Sequence, residues 1–196
     1  MAQTVINNTC SALVIGGSAG SLDVLLEVFP ALKAEIDFPI VLVTHRKSGS
    51  DSLLTDLLKG RTSLNVHEVE EKQEMLPTNV YIAPADYHLL IEQNHTFSLD
   101  YSEKINYSRP SIDVTFQSAA EVFKSELVCI LLSGSNADGV EGLKIVNKHG
   151  GMVVIQNPST ALMPYMPQQA VNIVKPHLVL HSYEMADFIN ALNKKN

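Results

Sequence analysis

The stretch Leu13-Val14-Ile15-Gly16-Gly17-Ser18-Ala19-Gly20-Ser21 decides the reading of the chain. An apolar run stops at two glycines, a serine follows, and residues with helical spacing begin at once. Gly16-x-Ser18-x-Gly20 has the spacing of a nucleophile elbow, a strand-to-helix turn that lifts a serine hydroxyl above a sheet edge. Small neighbours suit such a path, and Gly17 is the expected site of a positive φ. Two other readings fit the same residues. Ser18 serves as a helix N-cap in one; in the other the turn binds a dinucleotide, although Ser18 and Ser21 stand where that motif wants glycines.

Outward from this turn, short apolar runs alternate with amphipathic segments. Ile40–Val43, Val80–Ala83, Leu127–Leu132, Met152–Ile155 and Leu178–Leu180 read as strands. Leu22, Leu25, Leu26 and Phe29 keep helical spacing, as do Leu53, Leu54, Leu57 and Leu58 behind an expected Asp51 cap. A helix is expected from Ser111 with Ile112, Phe116, Ala119, Ala120 and Phe123 on one side. Another runs through Val140, Leu143 and Val146, a short one around 167–174, and a last one behind a Ser182 cap. Residues 64–78 suggest an edge strand and an acidic loop. His88–Ile91 and Thr96–Leu99 resemble a β-hairpin. The expected fold is α/β: a doubly wound, mostly parallel sheet flanked by helices, with one antiparallel hairpin.

Composition narrows the function. At 196 residues the length fits one domain, and 45% hydrophobic with 18% charged residues is ordinary for a soluble fold. A net charge of −7 without a basic run argues against nucleic acid as a partner. No run reaches the apolar length of a membrane span, and the N-terminus lacks a signal-peptide pattern, so membrane insertion is not expected and a cytoplasmic location is. Cys10 and Cys129 are expected as buried free thiols. No spacing suggests a metal site, and no cofactor is expected.

In a parallel sheet, ligands sit at the carboxyl ends of strands. Ser18, His45 and Asp138 each follow a strand there. A serine needs a base, an imidazole is suited to that, and a carboxylate behind the imidazole fixes its tautomer. Simpler roles stay open: His45 as a surface residue beside Arg46 and Lys47, Asp138 as the cap of the helix after it, with Asp51, Asp86 and Asp113 as rival carboxylates. The order Ser, His, Asp differs from the Ser, Asp, His order of α/β-hydrolases.

Several separated segments together resemble the catalytic domain of the bacterial chemotaxis protein-glutamate methylesterases, the CheB family. They are Val14–Gly20, Val43-Thr44-His45, Val80–Pro84 with His88-Leu89, Arg109–Val114, Leu131–Gly134 with Asp138–Gly142, and Gln156-Asn157-Pro158 with Met166-Pro167. The resemblance implies hydrolysis of glutamyl methyl esters on chemoreceptor signalling helices, with glutamine deamidation in some members. It gives Ser18 the role of nucleophile, His45 that of general base and Asp138 that of its orienter. Ala19, Gly134 and Ser135 become the candidate oxyanion side, and Met166 a lining residue. Arg109 is the candidate substrate-side residue, with a solvated charge before a proline-started helix as its plainer role.

The chain departs from the family pattern at Ser21, at Gly134-Ser135-Asn136, at Arg46 and at Gln168. It also reads as one methylesterase-like domain over 1–196 with no receiver domain. A receiver or methyltransferase domain, fused or separate, is the regulatory partner the resemblance implies. The competing reading is a catalytically weakened homologue that uses the same crevice to bind protein. A nucleotide-binding module, with Arg46 or Lys47 gripping a 2′-phosphate, is a third.

Overall fold

The computed structural model describes residues 9–45 and 51–192, the side chains of Asp51 and Ser52 excepted. Arg46, Lys47 and the Asp51 side chain, and with them the phosphate grip and the helix cap expected there, lie outside the described residues. Ala12–Gly17 forms β1, buried along its whole length. It is followed by α1 (Ser21–Val28), β2 (Ile40–Thr44), α2 (Asp51–Lys59), β3 (Asn65–Glu68) and β4 (Asn79–Ile82). Then come β5 (His88–Ile91), β6 (Phe97–Asp100), α3 (Ile112–Phe123), β7 (Leu127–Leu131) and α4 (Val140–Lys148). The last elements are β8 (Met152–Gln156), α5 (Tyr165–Ile173), β9 (Leu178–Leu180) and α6 (Ser182–Asn190).

Seven strands form one sheet in the order β3-β4-β2-β1-β7-β8-β9, and every pairing in it is parallel. A parallel sheet needs both faces covered, and the apolar alternation along its strands supplies two cores. Leu13 and Ile15 of β1 pack with α1, α2 and α6, whereas Ala12 and Val14 pack with α3, α4 and α5. The chain leaves β1 in one direction through β2 and returns to its other side with β7. The carboxyl ends of β1 and β7 therefore flank the point where strand order reverses, the usual place for a binding crevice.

The hairpin β5-β6 stands apart as a two-stranded antiparallel sheet. The acidic segment after β3 lies along it. Lys72 and Met75 amides donate to the carbonyls of Phe97 and His95, and the Phe97 amide donates to Gln73 O. That pairing was hidden in the sequence because its partner is distant and its residues are polar.

Helix starts differ from the sequence expectation in two places. The positive φ of the first turn is at Gly20 (81°), which caps α1, while Gly17 is still in the strand and Ser18 is not the cap. A side chain at Gly16 is excluded for another reason, since its Cβ would lie 2.4 Å from Ile112 Cγ2, where α3 crosses β1. At the far end of the chain His181, not Ser182, is the cap of α6, and its amide donates to Glu184 Oε2 at 2.8 Å.

Candidate active site

Ser18, His45 and Asp138 reach the same sheet edge from three different strands. Ser18 directly follows β1, and its amide donates to Ser133 O at 2.8 Å in the loop after β7. His45 directly follows β2, and its amide donates to Gly17 O at 3.3 Å. Both side chains line a cavity of about 220 Å³ whose other walls include Leu22, Leu25, Leu54 and Leu57. The Ser18 hydroxyl forms no hydrogen bond with another described residue.

The imidazole is bonded on its other side. His45 Nε2 lies 2.8 Å from Asp138 Oδ2, with the histidine side chain 13% exposed and the carboxylate fully buried. Asp138 is not the cap of its own helix, since Gly139 is the N-cap of α4. It caps α3 from across the crevice. Its Oδ2 also accepts from Ile112 N (2.7 Å), and its Oδ1 accepts from Ser111 Oγ (2.9 Å), Asn106 Nδ2 (3.1 Å), Gly139 N (3.1 Å) and Asp113 N (3.2 Å). The amide of Ser111 is met separately by Nδ1 of the buried His88 (3.1 Å).

These contacts set the charges. Burial pushes the Asp138 carboxyl up. Hydrogen bonds from His45, the Ile112 amide, Asn106 and the Asp113 amide outweigh it and hold the group down at about 2. An ionised carboxylate only accepts, so Nε2 carries the proton and the unprotonated nitrogen of the neutral imidazole is Nδ1. Asp113 goes the other way. Burial pushes its carboxyl up to about 6, the Asp138 charge adds to the rise, and the Gly142 amide, 2.7 Å from Oδ1, opposes it.

The two shifts act on stability in separate pH windows. The raised Asp113 contributes stability fully present below its unfolded value of 3.8 and lost as pH rises to about 6. The depressed Asp138 contributes stability present above 3.8 and lost as pH falls towards about 2. Replacing Asp113 with asparagine is therefore expected to remove a loss of up to about 2 kcal/mol between pH 4 and 6.5. Urea unfolding at those two pH values measures it; an unchanged slope contradicts the assignment.

The candidate oxyanion side is braced from beneath. The buried Ser133 hydroxyl donates to Ala19 O (2.8 Å) and accepts from Met163 N (2.9 Å), and Ser133 N donates to Gln156 Oε1 (2.8 Å). The Gly134 amide donates to Met163 O at 3.0 Å and is spent there, which corrects its place as an oxyanion donor. Ala19 and Ser135 are exposed, and their amides make no hydrogen bond with another described residue.

Two further expectations are corrected. Met166 does not line the crevice. It is fully buried beneath Gly134, where an added Cβ would meet its Sδ at 2.5 Å. Arg109 is not a free solvated charge but is held within its own loop. Its Nη1 donates to Tyr101 O (3.0 Å) and Ser102 O (2.6 Å), and its guanidinium stacks 3.9 Å over the Tyr101 ring.

Of the rival carboxylates, Asp113 is the neighbour of Asp138, Asp86 sits where its amide donates to Arg109 O, and the Asp51 side chain lies outside the described residues. Among the described residues no group of three His, Cys, Asp or Glu side chains could hold a metal, and no helix is long and apolar enough to cross a membrane. Asn106, Ser108, His88, Ser111 and Ser133 were missed by sequence reasoning. Only His88, Ser111 and Ser133 carried a signal, through the matched segments.

A doubly wound sheet that brings a serine turn, an imidazole and a buried carboxylate to its carboxyl edge forms a candidate hydrolase site. The comparisons narrow that class: residues 13–189 match the model of the CheB methylesterase family, and the chain belongs to it. It is 39% identical over 185 residues to a Leptospira interrogans relative, covering 94% of this chain and 96% of that one. It is 36% identical to the protein-glutamate methylesterase/protein-glutamine glutaminase of Thermotoga maritima, covering 89% of this chain and 52% of that protein. The crystal structure of the Thermotoga maritima CheB methylesterase catalytic domain superposes with a TM-score of 0.90 at 34% identity, over 93% of this chain and 98% of that one.

Proposed function

We propose that this chain hydrolyses glutamyl methyl esters on the signalling helices of chemoreceptors, and deamidates glutamine side chains there by the same route. One observation carries the reading: Ser18 and His45 share a cavity while the far nitrogen of His45 is held by buried Asp138. His45 Nδ1 takes the Ser18 proton as Oγ attacks the ester carbonyl. The tetrahedral oxyanion collapses, the imidazolium returns its proton to the leaving methoxide, and methanol departs. Water, activated by the same nitrogen, then releases the glutamate carboxylate and restores Ser18. The uncommitted Ala19 and Ser135 amides are suited to the oxyanion, a contribution of about 100- to 1,000-fold for one such donor.

Leu22, Leu25, Leu54 and Leu57 give the cavity apolar walls beside the reacting ester. Cys10 and Cys129 are buried and form no disulfide, which fits a reducing compartment, so the reading puts the reaction in the cytoplasm. A receiver or methyltransferase domain, fused or separate, is the regulatory partner in this proposal. Incubation with a receptor cytoplasmic fragment carrying radiolabelled methyl esters tests it. Labelled methanol is the expected product; folded protein that releases none at neutral pH contradicts the proposal.

A further inference from the structure

The loop between β6 and α3 ends in a tight turn, Ile105-Asn106-Tyr107-Ser108, whose outer residues pair as an isolated antiparallel bridge. Asn106 and Tyr107 at its centre have φ of 51° and 62°. The left-handed region suits asparagine but is uncommon for a bulky residue such as Tyr107, so contacts outside the turn help to hold this conformation. The root of the loop is pinned. Arg109 grips the carbonyls of Tyr101 and Ser102, and His88 Nε2 donates to Glu103 O at 2.9 Å.

The turn itself meets the two groups that carry the proton relay. Ser108 Oγ lies 3.3 Å from His45 Nδ1, the ring nitrogen not bonded to Asp138. Asn106 Nδ2 donates to Asp138 Oδ1 (3.1 Å) and to Asp113 Oδ2 (2.9 Å), and so bridges the two carboxylates. One turn therefore touches the base on one residue and its orienting carboxylate on another. Tyr107, between them, is 97% exposed and adds no packing that would explain the turn.

We propose that Ser108 and Asn106 are positioning residues for the His45–Asp138 pair, a clasp that holds both ends of the relay in register. In the resting protein the Ser108 hydroxyl donates weakly, at 3.3 Å, to the Nδ1 lone pair, limits rotation of the ring and yields that lone pair to the Ser18 proton. When His45 accepts the Ser18 proton, Nδ1 becomes a donor, and Ser108 rotates its hydroxyl and accepts. Asn106 neutralises part of the repulsion between Asp113 and Asp138 and keeps the Asp138 Oδ2 edge aimed at Nε2. Neither residue touches substrate; both act through His45. The clasp rests on the reading of His45 as the base.

The test compares Ser108→Ala, Ser108→Thr and Asn106→Leu with the parent by two readouts. In methyl ester hydrolysis, loss of one such hydrogen bond is expected to lower kcat about 5- to 10-fold with KM unchanged, and threonine, which keeps the hydroxyl, is expected to restore most of it. Nitrogen-15 NMR of histidine-labelled protein is expected to show the Nδ1 resonance of His45 moving in Ser108→Ala and returning in Ser108→Thr. An unmoved resonance or an unchanged kcat in Ser108→Ala overturns the clasp, and so does a loss that appears only in KM. The NMR readout needs no turnover, so a parent chain that hydrolyses no ester sinks the functional reading separately from the clasp.

Discussion

Replacing Ser18 with alanine is expected to lower ester turnover by about 10⁴- to 10⁶-fold, the loss typical when a serine nucleophile is removed. The unfolding free energy is expected to change by less than about 0.5 kcal/mol. The asymmetry follows from the surroundings. The Ser18 hydroxyl bonds no other described residue, whereas its backbone is held by Ser133 O, by the Ser21 amide and by the Ser21 hydroxyl, none of which alanine disturbs. Methanol release paired with thermal unfolding reads both quantities. Turnover near the parental rate removes Ser18 from the chemistry.

The Asp138→Ala variant is expected to fail in both respects. Without the carboxylate, His45 loses its orienting partner, and turnover falls about 10⁴-fold. The amides of Ile112, Asp113 and Gly139 and the side chains of Ser111 and Asn106 also lose their acceptor. Removal of a buried charge with this many donors is expected to cost about 3 to 5 kcal/mol. Asparagine at the same position keeps the shape and one acceptor oxygen, so it is expected to recover part of the stability and little of the turnover. Chemical unfolding of the two variants beside their methanol release separates these effects. An Asp138→Ala protein as stable as the parent contradicts the cross-crevice cap.

Much of this architecture was legible because it is written in local patterns. Strands buried on both faces need near-continuous apolar runs, and Leu13–Ile15, Ile40–Val43 and Leu127–Leu132 show them without help from the rest of the chain. Once those runs alternate with helices, the carboxyl-edge rule points to whatever polar residues follow them, which brings out Ser18, His45 and Asp138 together. Direction of a side chain is another matter. Arg109 and Met166 lie inside matched segments, yet one folds back on Tyr101 and the other goes under Gly134, and no periodicity reports that choice.

Asn106 and Ser108 illustrate the same limit more sharply. They sit in a polar stretch with no apolar rhythm, and their importance comes from a turn conformation that brings residues 45, 113 and 138 against them. The Gly134 amide was a reasonable oxyanion donor by position, but backbone pairing with Met163 is a non-local event. Its plainer sequence reading makes Asp138 the cap of the helix after it, α4, but Gly139 caps that helix and Asp138 caps α3, because the chain after β7 enters the crevice before turning into α4.

Treating the protein with a fluorophosphonate and locating the adduct by peptide mass spectrometry tests the central claim most directly. A phosphonyl group is expected on Ser18 in the parent, greatly slowed in a His45→Gln variant and absent from Ser18→Ala, because the reaction needs a deprotonating base and an oxyanion site around that one hydroxyl. An adduct on Ser108 or Ser135 instead, or an unlabelled Ser18 in protein that still hydrolyses methyl esters, contradicts it.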